Sequence, residues 1–168
     1  MRFALAVLLA ANSTFAQAPA KTASVLVFVT TDCPVSNRYI PEIKRLAEKY
    51  ASRGVSFSLV FPVPADTPEL IDKHREKFEY KLQVIRDAKF AMMKAAGATI
   101  TPQAVVYDGN KKLVYRGRID DRYVDLGKER PAPTTHDLDD ALAAIIGGWP
   151  VRETETQAVG CFLSDLIK

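Results

Sequence analysis

Ser24–Thr30, SVLVFVT, is β-branched or aromatic and apolar at nearly every position. A strand of that composition has no polar face to offer water, so it belongs inside a sheet covered on both sides. It runs at once into Asp32, Cys33 and Pro34, and then into a stretch whose apolar residues Ile40, Ile43, Leu46, Ala47 and Tyr50 fall at helical spacing. Proline suits the first turn of a helix, where its missing N–H is no loss. The spacing predicts a helix over 35–52, bent at Pro41 and ended by Gly54. A buried strand feeding a helix, with a cysteine at the junction, therefore organises the chain.

The same alternation continues. VSFSLVF at 55–61 reads as a second strand, and 68–78 as a helix with Thr67 as cap and Pro68 in its first turn. LQVIRD is a short third strand, 89–96 a short helix, and Gly97 its stop. TITPQAVVYDGNKKLVYRGRID holds two β-rich runs joined at Asp108-Gly109-Asn110, a hairpin signal. A last helix is expected over 136–146, capped by Thr134 or Thr135 and stopped by Gly147-Gly148. Helical crossovers demand parallel strands and the hairpin adds antiparallel ones. The expected fold class is α/β, a central mixed β-sheet with helices on both faces. At 168 residues the chain suits one domain.

The N-terminus, MRFALAVLLAANSTFAQ, has a basic residue, a short apolar run and small residues ending at Ala16. Residues 1–16 read as a signal peptide; the run is shorter than the roughly 20 residues a membrane-spanning helix needs. A linker follows at 17–23, the domain at 24–148, and a C-terminal tail at 149–168 that carries Cys161. The expectation is a periplasmic or secreted protein with no stable membrane insertion after cleavage. A formal charge of +3, with basic and acidic residues interleaved as in DKHREKFEYK, argues against a nucleic-acid partner and reads as a solvated helix face.

Two cysteines, Cys33 and Cys161, are too few to staple a chain of this size. Chemistry is the better reading, and export makes a disulfide durable. At a helix N-cap the unsatisfied N–H groups and the helix dipole favour a thiolate, the reactive form. Asp32 opposes this, so Cys33 is expected to be modestly acidic. The bland alternative is a small buried apolar residue.

VLVFVTTDCPVSNRYIPEI resembles the active-site segment of the thioredoxin-like superfamily, with a nucleophilic cysteine after the first core strand and a helix proline, here Pro41, eight residues on. TITPQAVVYDGNKKLVYRGRID is similar to that family's cis-proline segment, which places the cis-proline at Pro102. Within the superfamily the chain resembles the redoxin, peroxiredoxin-like branch. The resemblance implies a thioredoxin-like fold over about 24–146, with Cys33 as nucleophile and Pro34, Thr101 and Pro102 at the substrate site. Thr30 matches the threonine of T-x-x-C, whose hydroxyl serves the peroxide site in peroxiredoxins. Arg118 or Arg86 would take the role of the activating arginine. Two departures stand out: Ser36 occupies the fourth position of the thioredoxin C-x-x-C, and Leu26 the position of a peroxiredoxin proline. With no cysteine at 36, Cys161 becomes the candidate resolving cysteine; a structural disulfide and a free thiol are its other readings.

The first expectation is thus an oxidoreductase acting on a hydroperoxide or a protein disulfide and regenerated by an external thiol reductant, with no cofactor. A copper-handling module built on Cys33, Cys161 and either His74 or His136 is the second. A redox-inactive binding domain is the third. Asp-rich RIDDRYVD reads as a solvated loop, and oligomeric state is left open.

Overall fold

The computed structural model describes residues 22–166. The expected signal peptide and residues 17–21 of the linker lie outside the described residues. The elements in chain order are β1 (Ala23–Phe28), α1 (Pro34–Ala51), β2 (Val55–Phe61), α2 (Pro68–Phe78), β3 (Gln83–Arg86), α3 (Ala91–Ala96), β4 (Ile100–Thr101), β5 (Gln103–Asp108), β6 (Leu113–Gly117), β7 (Tyr123–Asp125), β8 (Lys128–Glu129), α4 (Asp137–Ile146), β9 (Cys161–Phe162) and α5 (Leu163–Leu166). Five strands form the central sheet in the order β3-β2-β1-β5-β6. β1 pairs with β2 and β2 with β3 in parallel, whereas β5 runs antiparallel to both β1 and β6. The mixed sheet expected from the connections is the one observed.

The all-apolar strand is central for the reason its composition gives. Val25 and Val27 join one apolar cluster with Phe57, Leu59 and Val106, and Leu26 and Phe28 join another with Val60 and Val105. Side chains alternate across a strand, so the two clusters lie on opposite faces of the sheet. The first is closed by Ile40, Ile43 and Leu46 of α1 and Leu138 and Leu142 of α4; the second by Met93 and Ala96 of α3 and by Leu163. Each fully buried aliphatic side chain contributes about 1.5–3 kcal/mol of hydrophobic stabilisation. Leu26, where the peroxiredoxin pattern has proline, is paired with Ser58 on one side and Val105 on the other. A proline there would remove a ladder N–H from an inner strand.

Three expectations are corrected. Thr134 and Thr135 do not cap α4: its N-cap position is His136, and both threonine N–H groups donate to the Asp121 carboxylate. RIDDRYVD is not a solvated loop, because Asp120 and Asp121 are buried. Asp120 accepts hydrogen bonds from Tyr39 Oη and the Arg122 N–H, and Asp121 pairs with Arg130. His74 is buried as well, although its neighbours on α2 are exposed. The hairpin turn is held by the Asp108 carboxylate, which accepts from the N–H groups of Asn110 and Lys112.

Candidate active site

Cys33 sits where β1 hands over to α1. Its backbone is extended and its Sγ caps the helix, accepting from the Ser36 N–H at 3.5 Å, while its own N–H donates to the Thr30 carbonyl at 3.4 Å. Pro34 follows in the first turn, exposed. Buried polar groups hold the loop before it. Asp66 Oδ1 accepts from the Thr31 N–H at 3.0 Å and the Thr31 hydroxyl at 2.6 Å, and Asn37 Nδ2 donates to the Thr31 carbonyl at 3.0 Å. His74 lies 2.8 Å from Asn37 Oδ1 through Nε2 and 3.0 Å from Tyr80 Oη through Nδ1. Because Asn37 Oδ1 can only accept, Nε2 carries the proton and Nδ1 takes the Tyr80 hydroxyl. Sequence reasoning missed this network, whose members are spread over residues 31–80.

The other wall is the cis Thr101–Pro102 peptide bond. Thr101 and Pro102 are both buried, and the Cys33 thiol donates to the Thr101 carbonyl at 3.3 Å. Against Thr101 lies the tail. β9 pairs antiparallel with β4, Cys161 opposite Thr101 and Phe162 opposite Ile100. The tail is anchored on either side: the Thr156 N–H donates to the Arg116 carbonyl at 3.1 Å, and the N–H of buried Leu163 donates to the Thr99 carbonyl at 2.9 Å. This brings Cys161 Sγ to 2.7 Å from Cys33 Sγ, two sulfurs 128 residues apart in the chain. Cys33 is 1% exposed and Cys161 partly exposed.

The two thiols are driven apart in acidity. Burial pushes the Cys33 pKa up, but the Cys161 thiol, the nearby Ser36 side chain and N–H, and the Thr101 side chain together outweigh it and leave Cys33 below the ordinary thiol value. Cys161 is pushed up to about 12, by burial first, then by its hydrogen bond to Cys33 and the negative charges of Cys33 and Asp32. The charge of Asp32 is thus felt at Cys161. The arrangement sets a thiol of lowered pKa against one of raised pKa, so Cys33 is the more readily ionised of the pair.

A redoxin family model matches residues 5–140. The chain belongs to the redoxin family. Solved structures similar to this redoxin include an uncharacterized conserved protein from Geobacillus kaustophilus, at 30% identity and a TM-score of 0.76, covering 87% of this chain and 78% of that one. A hypothetical protein from Sinorhizobium meliloti 1021 is 27% identical, with a TM-score of 0.75 over 86% of this chain and 80% of that one. A thiol:disulfide interchange protein of the thioredoxin family from Chlorobium tepidum TLS, at 16% identity and a TM-score of 0.57 over 76% and 82% of the two chains, shows the shared fold. No curated protein matches the chain. The family and the thioredoxin-like fold are those of thiol redox proteins, as the sequence resemblance implied.

The structure of this redoxin brings Cys33, Thr30, Thr101, Pro102 and Cys161 together and leaves the arginines elsewhere. Thr30 is buried, with its carbonyl on the Cys33 N–H, and borders a cavity of about 570 Å³ between the Cys33 loop, α2 and α5. Arg118 makes a bidentate pair with Asp137, at 2.9 and 3.1 Å, and a further bond to Thr135. Arg86 donates to the carbonyls of Asp66 and Pro64, so it braces the loop that holds Thr31. Among the described residues neither guanidinium hydrogen-bonds a cysteine. The copper reading loses its third ligand: both His74 nitrogens are engaged, His136 is an exposed residue at the start of α4, and among the described residues no cluster of three metal-binding side chains is found.

Proposed function

We propose that this redoxin is an exported thiol peroxidase that cycles between a Cys33–Cys161 dithiol and the corresponding disulfide. The observation that carries the reading is the approach of Cys161 Sγ to within 2.7 Å of Cys33 Sγ, with the two pKa values displaced in opposite directions. Cys33 thiolate attacks one oxygen of a hydroperoxide; the O–O bond breaks, an alkoxide or hydroxide leaves and takes a proton, and Cys33 becomes a sulfenic acid. That removes the charge which helped to hold Cys161 protonated. The Cys161 thiolate then attacks Cys33 Sγ, the S–S bond forms, the S–O bond breaks, and water leaves. Two external thiols, or one dithiol, supply two electrons and two protons to restore the dithiol and leave as a disulfide. Burial of Cys33 supports a small oxidant, and the signal-peptide-like sequence of residues 1–16 supports export to a compartment where the disulfide persists.

A second reading, in which Cys33 attacks a disulfide instead of a peroxide, is favoured by the engagement of Arg118 and Arg86 away from the sulfur. Both end in the same internal disulfide. The test is thiol counting with peptide mass spectrometry after one equivalent of hydrogen peroxide or of glutathione disulfide. Loss of both thiols into a 33–161 linked peptide within seconds of peroxide is the expected result. A protein that keeps both thiols in peroxide and loses them to glutathione disulfide belongs to the second reading, and one that keeps both thiols in either reagent has neither activity.

A further inference from the structure

β4 is two residues long and lies beside the nucleophile, with the Thr101 carbonyl 3.3 Å from Cys33 Sγ. Left bare, such an edge would be a place for an extended polypeptide to add as a strand, its own sulfur delivered to Cys33. Here the edge is taken by β9 of the same chain, in the register that sets Cys161 opposite Thr101. The fit depends on Gly160. A Cβ there would collide with the Thr101 carbonyl oxygen, stand 2.7 Å from its carbon and 3.2 Å from Pro102 Cδ. Gly117 plays the same part upstream, since a Cβ on it would stand 2.7 and 2.8 Å from the Thr156 carbonyl oxygen and nitrogen. Downstream, Leu163 is 1% exposed in the second apolar cluster. The tail is thus seated at three points around the cysteine pair.

We propose that Gly160 is a positioning residue that lets the chain's own β9 occupy the backbone edge beside Cys33, and that this closes the edge to extended polypeptides and restricts Cys33 to small oxidants. The inference deepens the function proposed above by naming the substrate class. Either a hydroperoxide or a small disulfide meets the restriction, since neither needs a strand edge to reach sulfur. Gly160→Ala must displace either the tail or the Thr101 carbonyl, and the tail is the part held by two short strands and a few loop hydrogen bonds.

The test uses two probes with one leaving group: 5,5′-dithiobis(2-nitrobenzoate), and a ten-residue extended peptide whose single cysteine carries 5-thio-2-nitrobenzoate in mixed disulfide. In a Cys161→Ser background Cys33 is the sole thiol. Its thiolate attacks the peptide sulfur, the new S–S bond joins Cys33 to the peptide, and the coloured thiolate leaves with the electron pair of the broken bond. The expected ratio of peptide rate to small-probe rate is below 0.1 with Gly160 and at least tenfold higher with Gly160→Ala. Leu163→Ala, which loosens the same tail from its other end, is expected to raise the ratio likewise and serves if the first variant does not fold. A ratio near 1 with Gly160 in place, or one unmoved by either variant, overturns the proposal. The readout does not use the 33–161 disulfide, so failure of that disulfide to form in the wild-type chain overturns the proposed function separately.

Discussion

The Cys33 thiol and the Cys161 thiol share one hydrogen bond, with Cys161 as donor and Cys33 as acceptor, and the proposed order of reaction follows that polarity. Because the bond from Cys161 is, after burial, the largest influence on Cys33, Cys161→Ser or Cys161→Ala changes the nucleophile's acidity. Serine retains a donor; alanine does not. Alkylation of Cys33 by iodoacetamide, followed against pH, is expected to show a midpoint below the ordinary thiol value in the wild-type chain and a higher one in Cys161→Ala, with Cys161→Ser between. A midpoint indifferent to residue 161 would mean that the hydrogen bond does not set the acidity.

The same shifts give stability a pH dependence in the reduced protein. Cys33 has a folded pKa below its unfolded one, so its charged form favours the fold; that contribution is complete above the ordinary thiol pKa and is lost as pH falls through the lowered value. Cys161 behaves oppositely. Its neutral form favours the fold below the ordinary value, and this is lost as pH rises toward about 12. Denaturant midpoints of the reduced chain between about pH 6 and pH 11 are therefore expected to rise and then fall, and in Cys33→Ala the rising limb disappears.

In the proposed cycle Cys161 resolves the first oxidation of Cys33, so its removal leaves that step without a partner. Cys161→Ser treated with one equivalent of hydrogen peroxide is expected to accumulate Cys33 sulfenic acid, trapped by dimedone as a single adduct, and to proceed to sulfinic acid with excess peroxide. The wild-type chain should yield less than a tenth of that adduct. Equal adduct in the two proteins would remove Cys161 from the cycle.

Much of this was legible in the residues, and the reasons are local. SVLVFVT announces a doubly covered strand, and cysteine before proline announces a capped helix start; neither needs a distant partner to be read. The pairing of β4 with β9 was hidden because two-residue strands carry no periodicity and Gly160 reads as an ordinary breaker until the Thr101 carbonyl is seen against it. Asp120 and Asp121 looked solvated because Tyr39, Arg130 and Thr134, which pair with them, come from other parts of the chain. Arg118 and Arg86 are candidates for the activating arginine by resemblance alone, and the pairing of the Arg118 side chain with Asp137 is one that a single sequence does not reveal. The T-x-x-C resemblance pointed to Thr30 through its hydroxyl, whereas the bond seen to Cys33 is made by its carbonyl.

Ser36 sits where a C-x-x-C protein has its second thiol, and it is fully buried, its Oγ without a hydrogen-bond partner of good geometry. A buried unsatisfied hydroxyl costs about 1–3 kcal/mol, yet this one helps to favour the Cys33 thiolate. Ser36→Ala should therefore separate stability from reactivity. The variant is expected to melt a few degrees higher, since about 1 kcal/mol corresponds to roughly 2–4 °C in domains of this size, and to show a raised Cys33 pKa. Calorimetry and the alkylation profile together decide it; a variant that loses stability while keeping the wild-type profile contradicts the assignment.

Asp66 is the remaining link between loop order and chemistry. Its Oδ1 takes both the N–H and the hydroxyl of Thr31, its backbone carbonyl takes Arg86, and its side chain is buried with Oδ2 unpaired. Hydrogen bonds to a charged acceptor contribute about 1.5–3 kcal/mol, and removing the acceptor strands the Thr31 N–H in a partly buried site. Asp66→Ala is expected to destabilise the reduced protein by about 2–3 kcal/mol in urea titration. Asp66→Asn keeps an oxygen for Thr31 and gives the second position a donor, so a loss of less than half that size is expected. Because Thr31 is two residues from Cys33, the alanine variant should also slow Cys33 alkylation at fixed pH by several-fold. An alanine variant that unfolds at the wild-type urea concentration and alkylates at the wild-type rate would show that the loop before Cys33 is held by Asn37 and the Thr30 carbonyl alone.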